Sequence, residues 1–401
     1  MGAMSIAVVL AARPRLIEPW LGGLDKMYRL HKWLGITALV FGTIHWLWAK
    51  GTKWAVAWGW LAKPARGGSG QETLGVVEQL FRSQCGLAEF LGEWTFYIAA
   101  ILIILALIQR FPYRLLAKTH TLLAILYLVL AFHTVILLEF SYWMQPLGIV
   151  MATLVAAGTI SAHLVLLNRA GADRKVKGSI KSLTYYPELR VLESTIDLLQ
   201  GWHGHKPGQF AFVTSNHNEG AHPYTIASAW NPQEHKITFI TKALGDHTGR
   251  LHETLRVGQP VTVEEPYGCF TVTDQRKRQI WIGAGIGITP FIARMEHLAK
   301  VPDRQHRIDL FHPTSEYSQA AIDNLKADAQ AANVKLHLLV DAKDGRLNAE
   351  RLRNEIPDWK EASLWFCGPA RFGAAQGSSG PWPEPRRFPP GTIPDALRRG
   401  R

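Results

Sequence analysis

Cysteine is nearly absent: Cys85, Cys269 and Cys367 are three in 401 residues, with no CxxC pair. That excludes a self-contained iron–sulfur cluster or zinc site built from four cysteines, and it offers no disulfide framework. Acidic residues are also scarce, 32 against 44 Lys plus Arg, for a formal charge of +12. No aromatic-interleaved basic patch accompanies the excess, so nucleic acid is not an expected partner. The excess fits membrane flanks and anionic cofactors instead. A signal peptide is missing too. Met4–Ala12 lacks the charged start and small-residue cleavage pattern, and it is too short to span a bilayer.

Apolar sequence is plentiful and unevenly placed. The 47% average hides a split near residue 168. Before it lie four apolar spans, Trp33–Ala49, Trp94–Ile108, Thr121–Leu138 and Leu147–Leu167, each near the length that crosses a hydrocarbon core. Basic residues precede the first span (Arg13, Arg15, Lys26, Arg29, Lys32), separate the second and third (Arg110, Arg114, Lys118) and follow the fourth (Arg169, Arg174, Lys175, Lys177). All three groups fall on one side, which the positive-inside rule makes cytoplasmic. The expectation is an integral, multi-pass protein in membrane lipid, with its carboxyl-terminal half in the cytoplasm.

Two of the spans are bounded by histidine. His31 and His45 are separated by about 21 Å along a helix and return within about 40° of one face. His120 and His133 are one step out of phase, about 140° apart on an ideal helix, so this helix is expected to tilt, kink or bulge. Neutral imidazole is a standard axial ligand for haem iron. Four of them suffice for two six-coordinate haems, His31 with His120 on the inner side and His45 with His133 on the outer. The plainer alternative for each is an interfacial or hydrogen-bonded histidine.

Beyond residue 173 the pattern shortens to alternating segments such as Leu189–Leu198 and Gln209–Thr214, which predict a small antiparallel barrel. Within it His222-Pro223-Tyr224-Thr225 offers a ring to stack on a flavin and a hydroxyl to reach a ring nitrogen; a turn with a packed tyrosine is the alternative. Lys242, His247 and Thr248 offer a cation and donors for a pyrophosphate, although a solvated turn looks similar. The run Gln279-Ile-Trp-Ile-Gly283-Ala-Gly285-Ile-Gly287-Ile-Thr289-Pro290 reads as buried strand, glycine turn and helix, the arrangement that brings amides to a phosphate. Its glycines alternate as GxGxG rather than GxGxxG. Ile308–Phe311, Ala320–Ala332 and Lys335–Val340 continue a parallel α/β pattern, and Cys367-Gly368-Pro369 ends a strand at the sheet's carboxyl edge.

In this order, the histidine spans, HPYT, GxGxGxTP and CGP resemble the ferric reductase/NADPH oxidase flavocytochromes, from about Gly22 to Gly373. The resemblance implies a membrane α-helical bundle, followed by an antiparallel β-barrel FAD domain and an α/β nucleotide-binding domain. The corresponding bounds are 1–168, 173–273 and 276–375. It implies two b haems on His31, His45, His120 and His133. The flavin site would be His222, Pro223, Tyr224 and Thr225, with Thr225 and Cys367 as catalytic residues. The nucleotide turn would be Gly283, Gly285, Gly287, Thr289 and Pro290, with Cys367, Gly368 and Pro369 beside the nicotinamide. Glu265-Pro-Tyr-Gly268 departs from the family's Gly-Pro-Tyr-Gly at its first residue. The expected activity carries electrons from cytoplasmic NAD(P)H through FAD and the haems to oxygen or a ferric chelate outside. NADPH follows from the resemblance, with NADH left open because no arginine follows Phe311-His-Pro-Thr-Ser315. The rival readings are a haem-bearing subunit serving a partner protein and an inactive product of a damaged gene.

Both ends carry expectations of their own. Met4–Ala12 resembles the last part of a span, and the family's six helices against four whole ones predict further apolar sequence upstream. Residues 376–401, rich in proline and without helical or strand period, suggest a shifted reading frame. Back-translation of Phe388 to Arg398 from the second base permits Phe-His-Gln-Glu-Leu-Phe-Gln-Met-Arg and a stop. That spelling closely resembles the ending typical of bacterial relatives with this module; a natural disordered tail is the alternative.

Overall fold

The computed structural model describes residues 1–62, 75–108, 113–216, 219–272, 274, 276–301 and 306–369, with backbone alone at 113–118. The tail at 376–401 lies outside the described residues. The chain forms two compact units: Met1–Ile17 with Lys26–Ala172, and Glu18–Asp25 with the residues from Asp173 onward.

The first unit is helical. Its elements are α1 (Gly2–Ala11), α3 (Leu24–Ala57, beginning in the other unit after the short α2, Glu18–Leu21), α4 (Val76–Leu107), α5 (Tyr113–Leu137) and α6 (Pro146–Leu166). Among the described residues three helices, Val76–Leu107, Thr119–Leu137 and Pro146–Leu166, are long and apolar enough to cross a membrane. The first expected span lies on α3, whose apolar centre is flanked by Lys26, Arg29 and Lys32 before it and Lys50 and Lys53 after it. Large apolar side chains point outward, Trp33, Phe41 and Trp48 among them. That inversion suits a lipid solvent.

Small residues draw the helices together. Tyr127 of α5 is fully buried, its hydroxyl bonded to Ser5 Oγ at 2.9 Å and donating to the Val155 carbonyl at 3.2 Å. Gly158 of α6 makes the room, since a β-carbon there would run into that hydroxyl. One tyrosine thus ties α1, α5 and α6.

The second unit holds two sheets. Strands β1 (Lys175–Tyr186), β2 (Val191–Leu198), β3 (Phe210–Thr214), β4 (His222–Thr225), β5 (Lys236–Lys242) and β6 (Pro260–Tyr267) pair antiparallel in the order β4-β3-β6-β1-β2-β5. Alternation along β2 and β5 sends Leu192, Ile196, Ile237 and Phe239 into one core. The edge strands approach through the single bridge Ile226–Phe239. The expected closed barrel is therefore met as an antiparallel sheet with bridged edges, not as a continuous ring of hydrogen bonds. Helix α7 (Asp246–Thr254) follows β5.

The other sheet is parallel, in the order β10-β7-β8-β9, from β7 (Arg278–Gly283), β8 (Arg307–Thr314), β9 (Lys335–Val340) and β10 (Ser363–Cys367). Helices α8 (Thr289–Lys300), α9 (Gln319–Ala331), α10 (Asp341–Asp344) and α11 (Ala349–Glu355) connect them. Every residue of β7 is buried, as a strand covered on both faces requires. The chain grows from β7 through β8 to β9 and then crosses back to lay β10 on the other side of β7. That reversal makes a switch point at the carboxyl ends of β7 and β10, where open α/β sheets bind ligands.

Candidate functional site

In the helical unit the four histidines meet in the expected pairs. His31 and His120 face each other with ring centroids 5.7 Å apart and Nε2 atoms at 3.4 Å. His45 and His133 lie 6.4 Å apart, edge to face at 80°. The α5 helix runs unbroken from Tyr113 to Leu137, so no bulge was needed to bring both rings to α3. The two pairs differ in tilt, 59° against 80°.

Their outer nitrogens decide what they can do. The His31 Nδ1–H donates to the Ala7 carbonyl and the His133 Nδ1–H to the Ala88 carbonyl, each at 2.8 Å. Such a bond fixes the tautomer with the lone pair on Nε2, the pattern that metal-bound histidine shows. His31 with His120, and His45 with His133, are the imidazoles that would hold haem iron. Gly92 admits the His133 ring to the α4 backbone, because a β-carbon there would overlap it. The donor set fits haem.

In the sheet unit, HPYT forms edge strand β4, paired with β3 from Phe210↔Thr225 to Val213↔His222. His222 lies flat on His247, centroids 3.7 Å apart and 9° from parallel. The His247 Nδ1 pairs with the Glu219 carboxylate, and Tyr224 donates its hydroxyl to His247 Nε2 at 2.8 Å. Burial and the neighbouring His247 push the His222 imidazole down to about 4, so it is neutral at physiological pH. Burial, and then the Glu219 charge, raise the Tyr224 phenol and keep it a donor. Among the described residues the buried Nε2 of His222 has no partner. An orphaned polar atom on this strand fits a polar cofactor.

Glu219, His222 and His247 also bring ligand-type atoms within 4.8 Å of one another. Stacked rings, however, aim their in-plane lone pairs in parallel rather than at one point. Both His247 nitrogens are already engaged, so no metal is assigned here.

Two expected phosphate contacts are taken up otherwise. Lys242 pairs with Glu316, which Arg190 also approaches at 3.7 Å. Thr248 Oγ1 accepts the N–H groups of Leu244 and Gly245 at 3.0 and 3.1 Å, capping α7.

At the switch point the glycine turn and the CGP segment come together. After Gly283 the turn Gly285–Ile288 is a short 3-10 helix that runs into Thr289 and Pro290 at the start of α8. Gly285 sits at φ +52°, in the left-handed region. Gly287 lets the turn press on β10, since a β-carbon would overlap the Cys367 carbonyl, and a β-carbon on Gly368 would crowd Ala284. The Ala284 N–H donates to that same Cys367 carbonyl at 2.9 Å. Two of these glycines therefore serve close packing of strand against turn. The Cys367 thiol, on a half-buried residue, is pushed up by desolvation to about 12 and stays protonated. His312, which the sequence did not single out, donates from Nδ1 to the Gly283 carbonyl at 2.7 Å and braces the turn. Glu219, three residues before His222, was also missed; an acid so close to HPYT was the available signal.

Residues 1–131 match the family described as ferric reductase like transmembrane component, and residues 177–295 match the FAD-binding domain family. The chain fits a ferric reductase/NADPH oxidase-type fusion. An NADPH oxidoreductase of Mycobacterium tuberculosis is 24% identical over 52% of this chain and 57% of its own length. A superoxide-generating NADPH oxidase heavy chain of Dictyostelium discoideum is 26% identical over 42% of this chain and 38% of its own length. The chain thus spans about half the length of the curated relatives it matches or less. A flavohemoglobin structure from Malassezia yamatoensis with bound FAD and heme aligns over 76% of this chain and 95% of that one. Its identity is 16% and its TM-score 0.44.

Proposed function

We propose that this chain is a transmembrane NAD(P)H oxidoreductase that passes electrons through FAD and two b haems to oxygen or a ferric chelate on the far side. The carrying observation is the pair of facing imidazole couples whose Nδ1–H groups on His31 and His133 are bound to carbonyls. It occurs in a chain that also holds a flavin-type strand and a nucleotide-type switch point.

His31 with His120 would hold one haem and His45 with His133 the other; bound haem supplies one-electron transfer, and flavin converts a hydride into single electrons. The Ala7 and Ala88 carbonyls hold two of the four imidazoles in the ligating tautomer. Tyr224 and Thr225 would flank the flavin ring, with His222 Nε2 offering it or its phosphates a polar contact. The Glu219–His247–Tyr224 chain keeps that phenol oriented. Gly283, Gly285 and Gly287 would admit the dinucleotide, Thr289 and Pro290 start the helix beyond it, and Pro369 follows the Cys367-Gly368 wall. The protonated Cys367 would exclude water beside the nicotinamide rather than act as a nucleophile. The helical unit is read as multi-pass and the sheet unit as cytoplasmic.

Oxygen consumption and ferric-chelate reduction, each driven by NADPH and then NADH in detergent, test the reading. Turnover with either acceptor supports it. A protein that oxidises neither nucleotide with FAD and haem loaded overturns it.

A further inference from the structure

Directly after the flavin-type strand β4, the run Ile226 to Ala229 is held from several sides. The Ile226 N–H donates to the Gln209 carbonyl at 2.9 Å and the Ala227 N–H to the Thr238 carbonyl at 2.8 Å. Ser228 Oγ accepts the Thr238 N–H at 3.0 Å, and the Ser228 carbonyl accepts Nε2–H of the buried His205 at 2.9 Å. Trp202 Nε1 donates to the other nitrogen of that ring at 3.4 Å, which fixes its tautomer. The last N–H of the run, on Ala229, finds its acceptor outside this sheet. It donates at 2.8 Å to Glu296 Oε2 on α8, the helix that begins at Thr289 behind the glycine turn. Ala229 is 4% exposed, so loss of the carboxylate would leave a buried amide unsatisfied. The other carboxylate oxygen, Oε1, takes the Lys300 ammonium at 2.7 Å, one turn further along α8. That pair is solvent-exposed and contributes little by itself. Both sheets belong to one compact unit, so the Ala229–Glu296 bond lies wholly inside it.

We infer that Glu296 is a positioning residue for hydride transfer, holding the helix of the nucleotide-type turn to the segment that continues the flavin-type strand. The inference rests on the nucleotide-to-flavin step proposed above. Thr289 and Glu296 are seven residues apart on α8, about two turns, and so share one face to within about 20°. Ala229 is four residues beyond Thr225. One hydrogen bond thus joins points close in sequence to the two expected cofactor sites. Hydride transfer moves two electrons and a proton together from reduced nucleotide to flavin, and its rate falls steeply when donor and acceptor drift by about an ångström. Glu296 would touch neither of them. A carboxylate serving only its own helix would use the Lys300 pair alone.

The test uses the full chain in detergent with three variants. Glu296→Gln keeps an oxygen acceptor, Glu296→Ala does not, and Lys300→Ala removes only the exposed pair. Amide hydrogen exchange without nucleotide reads the bond. Glu296→Ala should speed exchange at Ala229 by about tenfold or more, and the other two variants should stay near wild type. Rapid mixing of the FAD-loaded protein with NADPH, then NADH, reads the step. Flavin bleaching at saturating nucleotide should slow about tenfold in Glu296→Ala and keep its rate in Glu296→Gln and Lys300→Ala. FAD retention and the nucleotide concentration for half-maximal rate should not change. Unchanged Ala229 exchange in Glu296→Ala overturns the bond. Faster exchange with unchanged bleaching, slowing that comes with lost FAD, or a Glu296→Gln as slow as Glu296→Ala overturns the positioning role. If neither nucleotide bleaches wild-type flavin, the proposed step itself fails and the role falls with it, while Ala229 exchange still decides the bond.

Discussion

Imidazoles pair in this chain in two different ways. In the helical unit His31 meets His120 tip to tip, Nε2 to Nε2 at 3.4 Å, with the other His31 nitrogen bound to the Ala7 carbonyl. In the sheet unit His222 lies flat on His247 at 3.7 Å, and both His247 nitrogens are engaged, by Glu219 and Tyr224. The first geometry brings two Nε2 atoms face to face, with the His31 tautomer fixed by its other nitrogen. The second leaves the ring lone pairs parallel, which suits a packed wall. Residue type is identical in the two places. What separates them is which nitrogen a second partner takes and where the remaining one points.

The sharpest way to break the comparison is to remove one histidine from a pair in each unit, His133 of the His45–His133 pair and His247. His133→Ala should lower bound haem from two per chain to one, read from the visible spectrum and haem content. His247→Ala should leave haem content unchanged and weaken FAD retention, read by gel filtration of the flavin. Loss of haem in the second variant would show that the pairs are not independent.

Gly92→Val asks whether the outer ring needs its seat. A β-carbon at Gly92 would overlap the His133 ring, so outer haem should be lost with about 1–3 kcal/mol of stability, measured by thermal unfolding. At the switch point, Gly287→Ala should cost a similar 1–3 kcal/mol and raise the nucleotide KM with flavin content intact. Tyr224→Phe removes one hydrogen bond to His247; a loss of about 1 kcal/mol corresponds to roughly fivefold weaker FAD binding by titration.

Acid should act gently and on the sheet unit. His222 and His205 both titrate near 4 in the fold against 6.5 ordinarily, each mainly through burial. Between those values the unfolded chain binds protons that the folded one refuses, so stability falls as pH drops from about 6.5 toward 4. Thermal melts across that range should show flavin release moving to lower temperature. A melt independent of pH there would contradict the burial of both rings.

Much of this was legible in residue order. Apolar length placed α4, α5 and α6, and histidine spacing gave the correct ring pairs even though His120 and His133 are out of phase. Alternation marked β2 and β3, and the apolar run before the glycine turn marked β7. Partner choice was not legible, because it depends on contacts distant in sequence. Lys242 looks like a phosphate cation until Glu316, just beyond β8, pairs with it. Thr248 looks like a ligand donor until it caps its own helix. Gly287 reads as a phosphate-turn glycine, whereas its clearest constraint is the Cys367 carbonyl, 80 residues on in the sequence.

The most direct measurement is the reduced-minus-oxidised visible spectrum of the purified chain, expressed with ample haem, together with a haem-to-protein ratio. Two low-spin b haems per chain, both with bis-imidazole signatures, are expected. One haem or none would contradict the ligand assignment to His31, His45, His120 and His133 and the electron path built on it.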